Sequence, residues 1–196
     1  MPNDLTKNKI QELKKINQEI KICSKCILCN TAKNPVYGEG NPDSQIVIVG
    51  EAPGAKEDEL GLPFVGRSGK LLDSLLSDIN LNREDVWIGN IIKHRPPKNR
   101  DPLPIEIKAC EDFLRRQLKI INPLIIVTLG RFALKYFKID GKIGLDRGNL
   151  FFNENYYIYP TYHPAAGIRN KNMLKLLKQD FLQIPNVISK IKLNKI

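Results

Sequence analysis

Four short apolar runs, at residues 46–49, 86–92, 124–129 and 156–159, alternate with longer stretches in which apolar residues recur every three or four positions. Runs of that length bounded by turn residues have the size of buried strands, and the three-to-four spacing marks one face of a helix. Leu71, Leu72, Leu75, Leu76 and Ile79 set out such a face over residues 69–79. Residues 104–121 predict a helix with proline near its start, Gly130-Arg131 leads into another through Phe137, and a terminal helix is expected over about 172–184. An amphipathic helix is expected over residues 5–22, with Leu5, Ile10, Leu13, Ile16 and Ile20 on its stripe. Strands alternating with helices predict an α/β fold with a mainly parallel sheet covered on both faces, because parallel neighbours need a crossover long enough to hold a helix. Residues 140–155, with three glycines, read as a hairpin or surface loop, and residues 1–4 and the Lys-rich end after Ser189 as disordered.

A chain of 196 residues with 42% hydrophobic content can bury one sizeable core, so residues 1–196 are expected to form one domain. Residues 1–21 carry interleaved charges rather than a signal sequence, and no apolar stretch approaches the roughly 20 residues that span a bilayer. The expectation is a cytoplasmic protein with no membrane partner. A net charge of +10 favours a polyanion, nucleic acid first, since Lys and Arg on phosphates release counterions.

Cys23, Cys26 and Cys29 stand at intervals of three, and Cys110 lies far downstream near the start of a helix. In a reducing compartment such thiols are poor disulfide candidates and better metal ligands. Soft thiolates suit zinc or an iron–sulfur cluster, and spacing alone leaves both open, with His94 as a further candidate ligand.

The first strand breaks into Gly50-Glu51-Ala52-Pro53-Gly54, a loop that presents a carboxylate at a strand's carboxyl end, where open α/β sheets keep their chemistry. Glu51 there could orient water or stabilise positive charge. Glu57, Asp58 and Glu59 follow as an acidic patch. Residues 62–70 resemble a phosphate loop only superficially, since G-x-x-x-x-G-K-[ST] is not met, and nucleotide hydrolysis is rejected. Phe64 reads equally as a core plug or as a platform for a planar ring. Ser68 is placed to cap the helix expected from Gly69. Asn90 ends the second strand, where its amide could read a base edge with two hydrogen bonds. The basic, proline-stiffened segment from Lys93 to Pro102 suits phosphate contact. His163-Pro164, beside Ala165, Ala166 and Gly167, follows the last strand. The two polar loops, at 50–54 and 161–169, predict one shared cleft.

Together Gly50-Glu51-Ala52-Pro53-Gly54, Pro63-Phe64-Val65-Gly66-Arg67, Asn90 before Arg95-Pro96-Pro97-Lys98-Asn99-Arg100, Thr128-Leu129-Gly130 and His163-Pro164-Ala165 resemble the family 4, iron–sulfur uracil-DNA glycosylases over about residues 20–185. The resemblance implies a three-layer α/β/α sandwich with a central four-stranded, mainly parallel sheet. It implies an enzyme that flips uracil out of single- or double-stranded DNA and hydrolyses its N-glycosidic bond, leaving an abasic site. Phe64 would then stack on the base, Asn90 would bond its N3 and O4 edge, His163 would donate to O2, and Glu51 would position water or stabilise the sugar cation. Gly50, Gly54 and Glu57 would complete the pocket, with Glu57 helping to exclude thymine's methyl. Arg67, Ser68, Lys93, Arg95, Lys98, Arg100, Ala166, Ile168 and Arg169 would meet DNA, with Ile168 as a wedge in the minor groove.

The family usually carries cysteine at the position of His94, completing a 4Fe-4S site with counterparts of Cys23, Cys26 and Cys110. Here imidazole at His94, or Cys29, would have to supply the fourth ligand. A related branch that traps the abasic sugar covalently is the close alternative, and a DNA-binding module with a degraded site is another. As a glycosylase the chain is expected to act as a monomer, with a sliding clamp as a further partner.

Overall fold

The computed structural model describes residues 3–153 and 155–193. The elements run, in chain order, α1 (Asp4–Lys21), β1 (Glu39–Gly40), β2 (Ile46–Gly50), α2 (Ala55–Leu60), α3 (Arg67–Ser77), β3 (Trp87–Asn90), α4 (Pro104–Ile121), β4 (Ile125–Leu129), α5 (Arg131–Phe137), α6 (Ile143–Asp146), β5 (Phe151–Asn153), β6 (Tyr156–Thr161), α7 (Pro164–Arg169) and α8 (Lys171–Lys192). The expected disorder of the termini lies partly outside the described residues. Inside them, Asp4 already opens α1 and α8 continues past Ile184 and Pro185 to Lys192.

The sheet has the order β1-β3-β2-β4-β6-β5. Its inner four strands are parallel, as expected, and two short antiparallel edge strands, β1 on β3 and β5 on β6, extend it to six. The glycine-containing stretch after Asp140 thus includes one arm of a hairpin, β5, together with α6. Side chains on β2 alternate between the two faces, as the pleat requires. Ile46 and Ile48 join Leu72, Leu75 and Leu76 of α3 and Leu177 and Phe181 of α8 in one core. Val47 and Val49 join Leu114 and Leu118 of α4 and Ala133 of α5 in the other. These two cores make the three layers. Each fully buried leucine contributes about 1.5–3 kcal/mol relative to its exposed state. On the α4 side, α1 packs outermost through Ile16 and Ile20 against Phe113.

Two expectations about where elements begin and end change. Helix α3 begins at Arg67 with Gly66 at its cap and no side-chain cap, so Ser68 lies inside the first turn and caps nothing. Gly69 is needed within that turn because a Cβ there would fall 1.6 Å from the Phe64 carbonyl oxygen. Strand β3 ends at Asn90, short of Ile92, although Ile91 and Ile92 still donate to the carbonyls of Gly50 and Glu51 as the chain turns into the α4-side core. The short helices α2 and α7 escaped the sequence reading, since six residues carry too little periodicity to show.

Along the parallel strands the chain steps from β2 outward to β3 and then returns past β2 to β4. Connections therefore leave β2 and β4 in opposite directions. The crevice this opens at the carboxyl ends of the strands is where an open α/β sheet binds its ligands.

Candidate active site

A cleft of about 930 Å³ occupies that crevice. Glu51 enters it from the end of β2, Asn90 from the end of β3, Gly130 from the end of β4 and His163 from the end of β6. The two polar loops expected to share a cleft do so, although more than a hundred residues of chain separate them.

Phe64 forms one wall. It is 5% exposed, sits at a φ of +53°, and its ring stacks on the His163 imidazole with centroids 5.7 Å apart and planes 28° from parallel. A positive φ is disfavoured for any residue with a Cβ, so the surroundings must hold it. Glu57 does part of this: its carboxylate accepts the N–H groups of Val65 at 2.9 Å and Gly66 at 2.7 Å. The same carboxylate faces Gly54, where an added Cβ would lie 2.6 Å from Glu57 Oε2.

Asn90 is 2% exposed, and its Oδ1 is a buried acceptor with no partner. Gly50 is its register partner across β2 and β3. The absence of a side chain at Gly50 leaves the space that Asn90 and the Phe64 ring occupy.

His163 caps α7 by accepting the Ala165 N–H on Nδ1 at 3.1 Å. With Nδ1 an acceptor, the imidazole proton resides on Nε2. Burial, aided by the Arg169 guanidinium and opposed by Glu57, lowers its pKa to about 4, so the ring is neutral at physiological pH. Glu51 moves the other way: burial, reinforced by Asp101 and opposed by Arg131, raises its pKa to about 7. One cleft thus holds a neutral imidazole donor and a carboxyl group poised to titrate near neutrality, a pairing typical of acid–base sites.

Of the residues expected to meet DNA, Arg67, Ser68, Arg100, Ala166, Ile168 and Arg169 line the cleft. Arg100 is already engaged, its guanidinium forking onto the buried Glu106 carboxylate at 2.9 and 2.6 Å. Arg95 and Lys98 lie beyond the lining, with Arg95 bonded to Asn99 at 2.7 Å and Lys98 exposed at a φ of +53°. Lys93 is a correction. It is fully buried, and its ammonium donates to the Asn90 carbonyl at 3.0 Å and to Gln117 Oε1 at 2.8 Å, so it cannot reach a phosphate. Sequence reasoning missed Arg131, which lines the cleft paired with Asp101; a basic residue directly after the Thr128-Leu129-Gly130 strand end was the available signal.

The four cysteines are free thiols. Burial pushes the Cys110 thiol up to about 11; the Lys93 backbone N–H and ammonium pull it down, and Cys26 and Cys23 add to the rise. Cys26 is likewise raised by burial, with Cys23, Glu106 and Cys29 contributing. Cys26 packs against the core cluster that holds Cys110, Cys23 packs against the one that holds Phe113 of α4, and the Cys29 N–H donates to the Cys26 carbonyl at 3.4 Å. The buried His94 has its pKa lowered by burial, and its charged neighbour is Asp58 rather than a cysteine. Among the described residues no three His, Cys, Asp or Glu side chains converge as the ligands of one metal ion. No helix among them is long and apolar enough to cross a membrane.

Residues 37–185 match the family model of the Uracil DNA glycosylase superfamily. The chain is 45% identical to the type-4 uracil-DNA glycosylase of Sulfurisphaera tokodaii, over 89% of this chain and 84% of that protein. Identity to the type-4 uracil-DNA glycosylase of Saccharolobus solfataricus is 46%, over 89% and 85% of the two chains. The type-4 uracil-DNA glycosylase of Thermotoga maritima is 42% identical, with 94% of this chain and 98% of that protein covered.

Proposed function

The chain belongs to the uracil-DNA glycosylase superfamily, and on that premise we propose that its cleft receives a uracil extruded from DNA and that it hydrolyses the N-glycosidic bond, leaving an abasic site. The observation that carries the assignment of the base is the buried, unpartnered Oδ1 of Asn90. Uracil offers an N3–H to that acceptor and an O4 to the amide's Nδ2. Cytosine reverses both groups and would leave the buried amide facing like against like, a loss of the kind that separates substrates by orders of magnitude.

The remaining groups support cleavage of the bond between N1 and the sugar C1′. As the electron pair leaves with the base, negative charge gathers on O2, and the neutral His163 donates to it from Nε2. A donor fixed in place before charge develops is the most effective form of electrostatic stabilisation. Phe64 stacks on the ring. Glu51, once ionised, orients the water that adds to C1′ and stabilises the cationic sugar while it lasts; water supplies the hydroxyl and its proton leaves toward the carboxylate. Glu57, clamped by two backbone N–H groups, cannot swing aside to admit thymine's methyl. Arg67, Arg169 and Arg131 supply positive charge around the mouth for the DNA backbone, and Ile168, 42% exposed, is the apolar wedge.

We assign to the cysteine segment a 4Fe-4S cluster held by Cys23, Cys26 and Cys110 with His94 as fourth ligand. Supporting this, Cys26 packs against the core cluster that holds Cys110, and Cys23 against the one that holds Phe113 of α4; His94 enters because it stands where the family carries its fourth cysteine, although its charged neighbour here is Asp58. Bound there, the cluster would cross-link the segment after α1 to α4; hydrolysis of the N-glycosidic bond requires no electron transfer.

The test is denaturing electrophoresis of an oligonucleotide with a single uracil after incubation with anaerobically purified protein. Strand breaks that need alkali establish excision without lyase chemistry. A stable shifted protein–DNA band would replace hydrolysis by covalent trapping, and intact DNA under all conditions would refute the reading.

A further inference from the structure

We infer that Arg83 is a positioning residue for the aromatic wall of the base site, acting through the carbonyls of Pro63 and Phe64; the inference rests on the reading of Phe64 as the surface that stacks on uracil. Arg83 lies in the turn before β3, outside the lining of the cleft, and touches no substrate. Its Nη1 donates to the Phe64 carbonyl at 3.0 Å and its Nη2 to the Pro63 carbonyl at 2.6 Å. The same two nitrogens reach Asp73 Oδ1 of α3 and Glu39 Oε1 of β1, each at 2.9 Å. Two carboxylates from separate elements therefore fix the guanidinium plane, and the fixed plane grips two successive carbonyls. A lysine ammonium lacks the planar fork this requires.

The grip matters because of the backbone it holds. Phe64 sits at a φ of +53°, a conformation that a residue with a Cβ leaves readily unless its peptides are restrained. Glu57 restrains the N–H groups that follow, at Val65 and Gly66, and Arg83 restrains the carbonyls at Pro63 and Phe64. Between them the ring is kept over Gly50 and against His163. Releasing either clamp lets the loop relax toward extended backbone and takes the ring off the base.

The experiment is a double-mutant cycle of Arg83→Met and Phe64→Ala. It is read by single-turnover excision from a uracil oligonucleotide, by inhibition with free uracil, and by affinity for uracil-free duplex. Arg83→Met is expected to slow excision roughly 10- to 100-fold, the scale of a small misplacement at a reacting site, and to weaken inhibition by free uracil. Affinity for uracil-free duplex should stay within about twofold, since Arg83 is not at the mouth. In the Phe64→Ala background the same change should add little, because two residues acting through one contact are not additive. Full additivity, or unaltered inhibition by free uracil in Arg83→Met, would overturn the inference. Where Arg83→Met melts below the assay temperature, Arg83→Lys completes the cycle under the same criteria, since it keeps the charge and stem but not the fork. Wild-type excision and uracil inhibition in Phe64→Ala alone would instead sink the reading of Phe64 on which the inference stands.

Discussion

Gly50 and Asn90 face each other across β2 and β3, and a Cβ on Gly50 would stand 2.5 Å from Asn90 Oδ1 and 2.5 Å from the Phe64 ring. The Asn90 amide and the Phe64 ring thus converge above a strand position that carries no side chain. Gly50→Ala places a methyl in that convergence. Uracil excision should fall by about two orders of magnitude, the range expected of a small displacement at a reacting site. Gly50 has an ordinary backbone angle, so the variant should keep a cooperative melting transition. Circular dichroism and single-turnover excision on the same sample check both halves.

Asn90→Ala removes the proposed recognition of the N3 and O4 edge. The loss of two hydrogen bonds to the base should lower kcat/KM about 100-fold. Because Asn90 Oδ1 has no partner in the protein, its removal should not lower the melting temperature. Retained wild-type excision in Asn90→Ala would refute the base reading.

The roles proposed for Glu51 and His163 predict a pH dependence. Glu51, raised from 4.5 to about 7, must lose its proton to act, so kcat/KM in the free enzyme should climb as pH rises toward and through 7. His163, lowered from 6.5 to about 4, stays neutral over that range and contributes no limb there. Glu51→Gln should therefore leave a small residual activity that is flat between about pH 5 and 8. A steep limb near 7 surviving in Glu51→Gln would assign it to another group.

Stability should respond with the opposite sign at Glu51. Its folded form holds the proton more tightly than the unfolded chain, so the folded state loses stability as pH rises from 4.5 through 7. Glu51→Gln removes that penalty and should melt higher than the parent at pH 8, by about 2–4 °C for each kcal/mol recovered in a domain of this size, but not at pH 4. For His163 the stability gained by keeping the ring neutral is complete above 6.5 and is lost as pH falls toward 4. Calorimetric scans at pH 4, 6 and 8 separate the two.

The cysteine assignment predicts about four irons per chain after anaerobic purification, with visible absorbance from thiolate–iron charge transfer. Cys23→Ser, Cys26→Ser and Cys110→Ser should each lose iron and, with it, several degrees of melting temperature. His94→Ala losing iron while Cys29→Ser retains it would support imidazole as fourth ligand; the reverse outcome would transfer that role to Cys29.

Much of this was legible in the chain because its signals are local. The apolar run at β2 and the three-to-four spacing in α3 and α4 report burial on one or two faces, and burial is what makes a strand or helix stand. Gly50-Glu51 and His163-Pro164 announce themselves at strand ends, and strand ends of a parallel sheet point one way, so their convergence followed from topology alone. What only the tertiary structure decided are the contacts made across chain distance. Lys93 reads as a surface cation in a basic segment, yet the fold closes α4 over it and gives its ammonium to Asn90 and Gln117. Arg83 sits in a turn without any pattern to mark it, and becomes a clamp because α3, β1 and the Phe64 loop arrive beside it from separate parts of the chain. Periodicity encodes which side of an element is dry; it carries no record of which distant carbonyl or carboxylate will be waiting there, and that pairing sets the geometry of the cleft.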